Sequence, residues 1–133
     1  MQFTQLRPLL RAAEDAGVEL WSLQSEQNNA EWRAYAAESG QQCLVAGEHS
    51  VMELARAVAA MDIVITVDTF AAHVAGAMGK PCWIMLEHAA DWRWMVDRED
   101  SPWYPGTRLF RQHTQGAWAP VVERVATALR GLA

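Results

Sequence analysis

Residues 62–81 read DIVITVDTFAAHVAGAMGKP, and the fold is decided by how this stretch is read. Ile63, Val64, Ile65 and Val67 form a near-continuous β-branched run, the pattern of a parallel strand covered on both faces. The run ends at Asp68 and Thr69, and either side chain is suited to capping the helix that follows. Ala71, Ala72, Ala75, Gly76 and Ala77 are small, so the helix backbone can lie close to the strands. Gly79 supplies a helix stop, and Pro81 cannot continue the helix.

Chemistry is expected at the turn between strand and helix. The first N–H groups of a helix lack intrahelical partners and carry the positive end of its dipole, which suits a phosphate. His73 lies one turn into the helix, four residues after Thr69. Helical side chains lean toward the N-terminus, so its imidazole can reach back over the same spot. An ordinary βα unit with a capped helix and a partly buried histidine would show the same pattern, and the pattern alone does not separate the two.

On the N-terminal side, residues 4–16 predict a helix ended by Gly17, and VELWSL (18–23) predicts a strand with Leu20 inward. QSEQNN is turn-like. A helix over 30–38 follows, with Asn29 as N-cap, Trp32, Tyr35 and Ala36 on one face, and Gly40 as its stop. QCLVA (42–46) predicts a short strand. Ser50 and Glu53 match a capping box ahead of helix 51–60, whose buried stripe is Val51, Leu54, Ala55 and Val58.

On the C-terminal side, PCWIML (81–86) predicts the next strand, and residues 87–106 break the alternation with tryptophans, charges and turn residues. A short helix is expected around 91–97. TRLFRQ (107–112) predicts an edge strand. The last helix carries Pro120 in its first turn and an apolar face of Trp118, Val121, Val122, Val125 and Leu129. The order α-β-α-β-α-β-α-β-loop-β-α predicts the α/β class: a Rossmann-like parallel sheet flanked by helices. Ligands on such sheets bind beyond the carboxyl ends of the strands. Three segments reach that edge: the loop after 42–46, the Asp68-Thr69 turn and the tryptophan-rich loop after 81–86.

The 133 residues suit one domain, 1–133, and 51% hydrophobic against 20% charged residues suits a globular core. The net charge of -5 and the lack of a basic stripe argue against nucleic acid as a partner. Cys43 and Cys82 form no CxxC, which fits reduced thiols. No apolar run approaches the ~20 residues of a membrane span, and MQFTQLRPLL lacks signal-peptide architecture. The expected location is cytoplasmic.

Dinucleotide (GxGxxG), P-loop (GxxxxGK[ST]) and hydrolase (GxSxG) motifs are all missing. His49, His73, His88 and His113 have no metal-ligand spacing, so no metal is expected, although folding could bring the first three to one sheet edge. Asp91, Asp97, Glu99 and Asp100, with Arg93 and Arg98, read as a solvated loop rather than an acid–base pair. The tryptophans either pin that loop to the sheet or offer a stacking surface for a base or sugar; the loop's length favours pinning. A two-component receiver is rejected, because the paired acids of an early strand end are missing and Lys80-Pro81 precedes a strand instead of following the last one.

DIVITVDTFAAHVAGAMGKPCWIML followed by DWRWMVDREDSPWYPGTRLFRQ resembles the C-terminal domain of bacterial glycosyltransferases often fused to tetratricopeptide repeats. These are similar to the lipopolysaccharide heptosyltransferase family and, more distantly, to O-linked N-acetylglucosamine transferases (O-GlcNAc transferases). The resemblance spans roughly residues 5–130 and is strongest at 62–112. It implies the C-terminal half of a GT-B fold, in which two Rossmann-like domains face a cleft and the C-terminal one holds the donor. By that resemblance Asp68, Thr69 and His73 line the donor diphosphate and sugar. Backbone N–H groups near Phe70 and Ala71 hold the phosphates, and Asp91, Trp92 and Arg93 approach the donor. It implies no cofactor besides the nucleotide-diphosphate sugar, which is the donor substrate.

Two parts of the family pattern are missing: the N-terminal domain with its acceptor contacts and base, and the first strand of the C-terminal domain. Phe70 also replaces a small residue, which narrows the expected pocket. No catalytic base is assigned. The expected partners are a nucleotide sugar, an N-terminal Rossmann or tetratricopeptide-repeat partner, or a second copy through the shortened sheet. The alternative is a non-catalytic interaction or scaffold domain that keeps the fold.

Overall fold

The computed structural model describes residues 1–24, 29–40, 44–45 and 50–132. A 3-10 turn at Phe3–Leu6 leads into α1 (Arg7–Ala16), which Gly17 ends at φ 68°. There follow β1 (Trp21–Ser22), α2 (Ala30–Ser39), β2 (Leu44–Val45), α3 (Val51–Ala60), β3 (Val64–Val67), α4 (Phe70–Ala77), β4 (Cys82–Leu86), β5 (Thr107–Arg111) and α5 (Ala119–Arg130). The strands form a two-stranded sheet, β1-β2, and a three-stranded sheet, β3-β4-β5, and every ladder is parallel. Parallel strands separated by helices give the expected Rossmann-like α/β architecture.

The core is organised around β4, whose five residues are all buried. Alternation along β4 splits them between the two faces of the sheet. Cys82, Ile84 and Leu86 join Leu54 and Val58 of α3, Ala72 and Ala75 of α4, Val64 and Leu109 on one face. Trp83 and Met85 join Leu9 and Ala13 of α1, Phe110, and Val121, Val122, Val125 and Leu129 of α5 on the other. Burying each large apolar side chain is worth about 1.5–3 kcal/mol, so β4 is the most strongly held strand. Leu10, Trp32 and Tyr35 form a smaller cluster between α1 and α2.

The local signals act as expected at several ends. Ser50 and Glu53 form the capping box of α3, with Glu53 N–H donating to Ser50 Oγ at 3.2 Å and Ser50 N–H to the Glu53 carboxylate at 2.9 Å. Gly79, at φ 68°, ends α4 in a paired motif: its N–H donates to Gly76 O at 3.1 Å, and Lys80 N–H donates to Ala75 O at 3.0 Å.

Other expectations need correction. The run at 62–67 is not the enclosed strand: β3 lies at the edge of its three-stranded sheet, so only Val64 is fully buried. The strand at 18–23 contracts to Trp21–Ser22, although Val18 and Leu20 still pack on the α1/α5 face. Val51 is exposed because it opens α3, ahead of the inward stripe that Leu54 and Val58 carry. Ala77 is exposed too. Asn29 occupies the N-cap position of α2, but its side chain turns to β1, where Ser22 Oγ donates to Asn29 Oδ1 at 2.6 Å. The helix expected over 91–97 is a single 3-10 turn, Trp92–Trp94. Met95 and Asp97, at φ 55° and 54°, sit in the left-handed region and break any helix. Of strand 42–46 only Leu44–Val45 is described; Cys43, the Gly47-Glu48-His49 loop and residues 25–28 of QSEQNN lie outside the described residues.

Candidate functional site

The β3–α4 corner is built from the end of a half-buried strand and the start of a helix made of small residues. Thr69 takes the N-cap position with extended backbone (φ -134°, ψ 173°), and its carbonyl accepts from Ala72 N–H at 3.0 Å. Contrary to expectation, its side chain does not cap the helix. The Thr69 hydroxyl pairs instead with the Thr66 hydroxyl on β3, at 3.0 Å. Asp68 turns its carboxylate to His73, with Oδ1 3.7 Å from Nε2. The first turn of α4 therefore keeps donors that its own cap residue does not satisfy.

His73 is held from three sides. Its Nδ1 lies 3.0 Å from Tyr104 Oη. Its ring stacks on Trp94, with centroids 5.6 Å apart and planes at 23°, and meets the Tyr104 ring edge-on at 5.8 Å. The Asp68 and His73 side chains are 33% and 29% exposed, so the corner is open to solvent and not plugged. Phe70, expected to narrow it, holds its ring largely outward, and Ala71 is half-buried.

The loop over 87–106 supplies the back wall. Trp94 is completely buried and packs into the α3/α4 face of the core. Arg111 of β5 donates to the carbonyls of Trp94 and Met95. Ser101 Oγ accepts from the N–H groups of Trp103 and Tyr104 at 3.2 and 3.3 Å, and Trp103 Nε1 donates to Arg93 O at 3.0 Å. The tryptophans differ in burial. Trp83 and Trp94 are buried and pin the loop and sheet, while Trp92 (73% exposed) and Trp103 (55%) face solvent.

The structure therefore gathers Asp68, Thr69 and His73 at one corner, with Phe70 and Ala71 in the first turn beside them. Asp91, Trp92 and Arg93 form their own group. Asp91 Oδ1 accepts from Arg93 N–H at 3.0 Å and lies 3.7 Å from its guanidinium, which in turn sits 5.9 Å from the Trp92 ring centroid. No hydrogen bond or ion pair joins this group to Asp68, Thr69 or His73 among the described residues. The residues that do reach His73 from the loop are Trp94 and Tyr104. Their only sequence signal was membership of the DWRW…SPWYP motif, which gave no hint of direction. Gly76 belongs with them, because a Cβ there would lie 2.4 Å from Tyr104 Cγ.

The corner thus combines backbone N–H donors, an imidazole and a carboxylate: donors for an anion, and an acceptor for a hydroxyl group. Two clefts lie elsewhere. One of about 370 Å³ runs beside β5 and α5, among Arg108, Phe110, Glu123 and Arg124. One of about 170 Å³ sits at the β4 and β5 ends, among Glu87, Gln112 and Trp118. Among the described residues no three His, Cys, Asp or Glu side chains gather as metal ligands. Burial pushes the Cys82 thiol up to about 12, which keeps it protonated and unreactive. No helix of the described residues is long and apolar enough to cross a membrane.

A parallel α/β sheet with a histidine and a carboxylate beside a strand-to-helix turn defines a Rossmann-like domain. Residues 4–84, more than half of the chain, match glycosyltransferase family 9 (heptosyltransferase), and the chain belongs to that family. The matched residues include β3 and α4 but stop before the loop that carries Trp94 and Tyr104. The chain is also similar to Protein FlbA of Caulobacter vibrioides (strain ATCC 19089 / CIP 103742 / CB 15), at 41% identity over 81 residues, 61% of this chain. That stretch spans only 13% of the length of FlbA. No solved structure matches the chain.

Proposed function

We propose that this chain is the donor-binding part of a heptosyltransferase-like glycosyltransferase. It binds a nucleotide-diphosphate sugar at the β3–α4 corner, for transfer to an acceptor held by another domain or chain, either an N-terminal Rossmann-like domain or a tetratricopeptide-repeat partner. The observation that carries this reading is the side-by-side placement of His73 and Asp68 over a helix start that its own cap residue leaves unsatisfied. In this reading the N–H groups of Phe70 and Ala71 and the His73 imidazole hold the diphosphate. The Asp68 carboxylate accepts from a sugar hydroxyl, and Thr69 shapes the turn. The same donors would steady the charge that builds up on the departing nucleotide diphosphate. Asp91, Trp92 and Arg93 lie on the adjoining loop, where an exposed ring and a guanidinium could meet the far end of the donor.

Calorimetric titration with UDP-, ADP- and GDP-sugars tests the proposal. We expect saturable binding to one nucleotide class and a loss of about tenfold or more in Asp68→Ala and His73→Ala, the scale of one charge-assisted hydrogen bond. Absence of binding to all three, or equal affinity in both variants, refutes it. The second reading, an interaction or scaffold domain, is favoured by the exposed apolar side chains of Phe70, Trp92, Val96 and Trp103. Under that reading the chain self-associates in sedimentation velocity and binds no nucleotide sugar.

A further inference from the structure

We propose that Tyr104 is a positioning residue for His73: its hydroxyl holds Nδ1, so that the Nε2 edge, with the N–H that Asp68 favours, faces Asp68 and the start of α4. The role of that N–H toward a nucleotide diphosphate rests on the donor-binding reading; the positioning itself does not.

The argument begins with what each partner can do. An ionised carboxylate only accepts, so Asp68 at 3.7 Å favours a proton on Nε2. A tyrosine hydroxyl both donates and accepts. Toward a neutral imidazole protonated at Nε2, Tyr104 donates to Nδ1; wherever Nδ1 carries the proton, Tyr104 accepts from Nδ1–H. At 3.0 Å both arrangements fit without moving the ring. Among the described residues, Asp68 and Tyr104 are the titratable groups recorded against His73, and Trp94 is an uncharged surface stacked on the ring. Tyr104 thus holds the Nδ1 edge, on the side away from the corner, and leaves Nε2 facing Asp68.

Tyr104 is itself set in place. Its ring lies on α4 where Gly76 offers no Cβ, its backbone N–H donates to Ser101 Oγ at 3.3 Å, and its ring packs at 6.2 Å from that of the buried Trp94. The hydroxyl therefore arrives at Nδ1 from a fixed direction, and the sequence device that permits this is a glycine in the last turn of α4.

The test is nitrogen-15 NMR of the histidine rings in the full chain, with no ligand added. In the wild type we expect the His73 Nδ1 resonance of a hydrogen-bonded nitrogen and a protonated Nε2. Tyr104→Phe, which keeps the ring, moves Nδ1 to the position of an unbonded nitrogen. Gly76→Ala keeps the hydroxyl but displaces the ring, and it moves Nδ1 the same way. If Nδ1 is unbonded in the wild type, or unchanged in both variants, the proposal is overturned. Titration with ADP, UDP and GDP forms a second arm, in which both variants weaken binding about tenfold, as loss of one aligned hydrogen bond predicts. A wild type that binds none of the three overturns the donor reading alone, since the ring signal has already decided the role of Tyr104.

Discussion

The two faces of the β3-β4-β5 sheet are packed with side chains of different size. On the α1/α5 face, Leu9, Trp83, Met85, Phe110 and four residues of α5 interlock, and all are bulky. On the α3/α4 face, α4 presents the small residues Ala72, Ala75 and Gly76, with Trp94 brought in from the loop beside them. The fully buried residues of the first face all come from regular elements. The second borrows its largest side chain from an irregular segment, and that segment also supplies the two rings that hold His73. Small residues on α4 let a loop take part in the core, and in this way a structural contact becomes a support for the site.

The largest expected effect comes from breaking that borrowed contact. Trp94→Ala removes a completely buried indole, costs about 3–5 kcal/mol, and frees the His73 ring. Chemical denaturation and His73 NMR should therefore change together. Next is the opposite face, where Leu129→Ala costs about 2–5 kcal/mol but leaves the His73 ring signals in place under native conditions. If Leu129→Ala moved those signals as strongly as Trp94→Ala, the division of labour between the faces would be wrong. The smallest effect concerns Cys82, on the α3/α4 face. Its thiol ordinarily titrates near 9.0, and burial raises it to about 12. The unfolded chain releases this proton first, so the contribution to stability is intact below pH about 9 and declines as pH rises toward 12. In a Cys43→Ser background, iodoacetamide should leave folded protein unlabelled at pH 8 and label it after denaturation; rapid labelling of the native state would mean the face is loosely packed.

Much of the architecture was legible because it rests on local signals. The Ser50–Glu53 box, the Gly79 stop and the apolar stripe of α5 each act within a short run of chain, and each appears where the residues placed it. The order of helices and strands follows from those signals. Strand position does not. IVITV and CWIML are both apolar, yet β3 lies at an edge of its sheet and β4 in the middle, because neighbours are chosen by connections that single-strand composition does not encode. The candidate corner was legible at Asp68, Thr69 and His73, which one βα turn brings together. Tyr104 and Trp94 were not, since they arrive from 31 and 21 residues farther along the chain than His73, through a loop shaped by the left-handed Met95 and Asp97 and by the Arg111 clamp. Such a path has no periodicity to read. The cap of α4 was misjudged for a related reason: the Thr69 hydroxyl had a competing partner on the preceding strand, Thr66.

Gly76 and Tyr104 make a single heritable character rather than two. With only 2.4 Å between the position of a first side-chain carbon at 76 and the ring at 104, neither position is free to drift alone. Descendants that acquire alanine at 76 would be expected to carry a slimmer residue at 104 and some other anchor for the histidine. Comparing these two positions across relatives would show whether they change together.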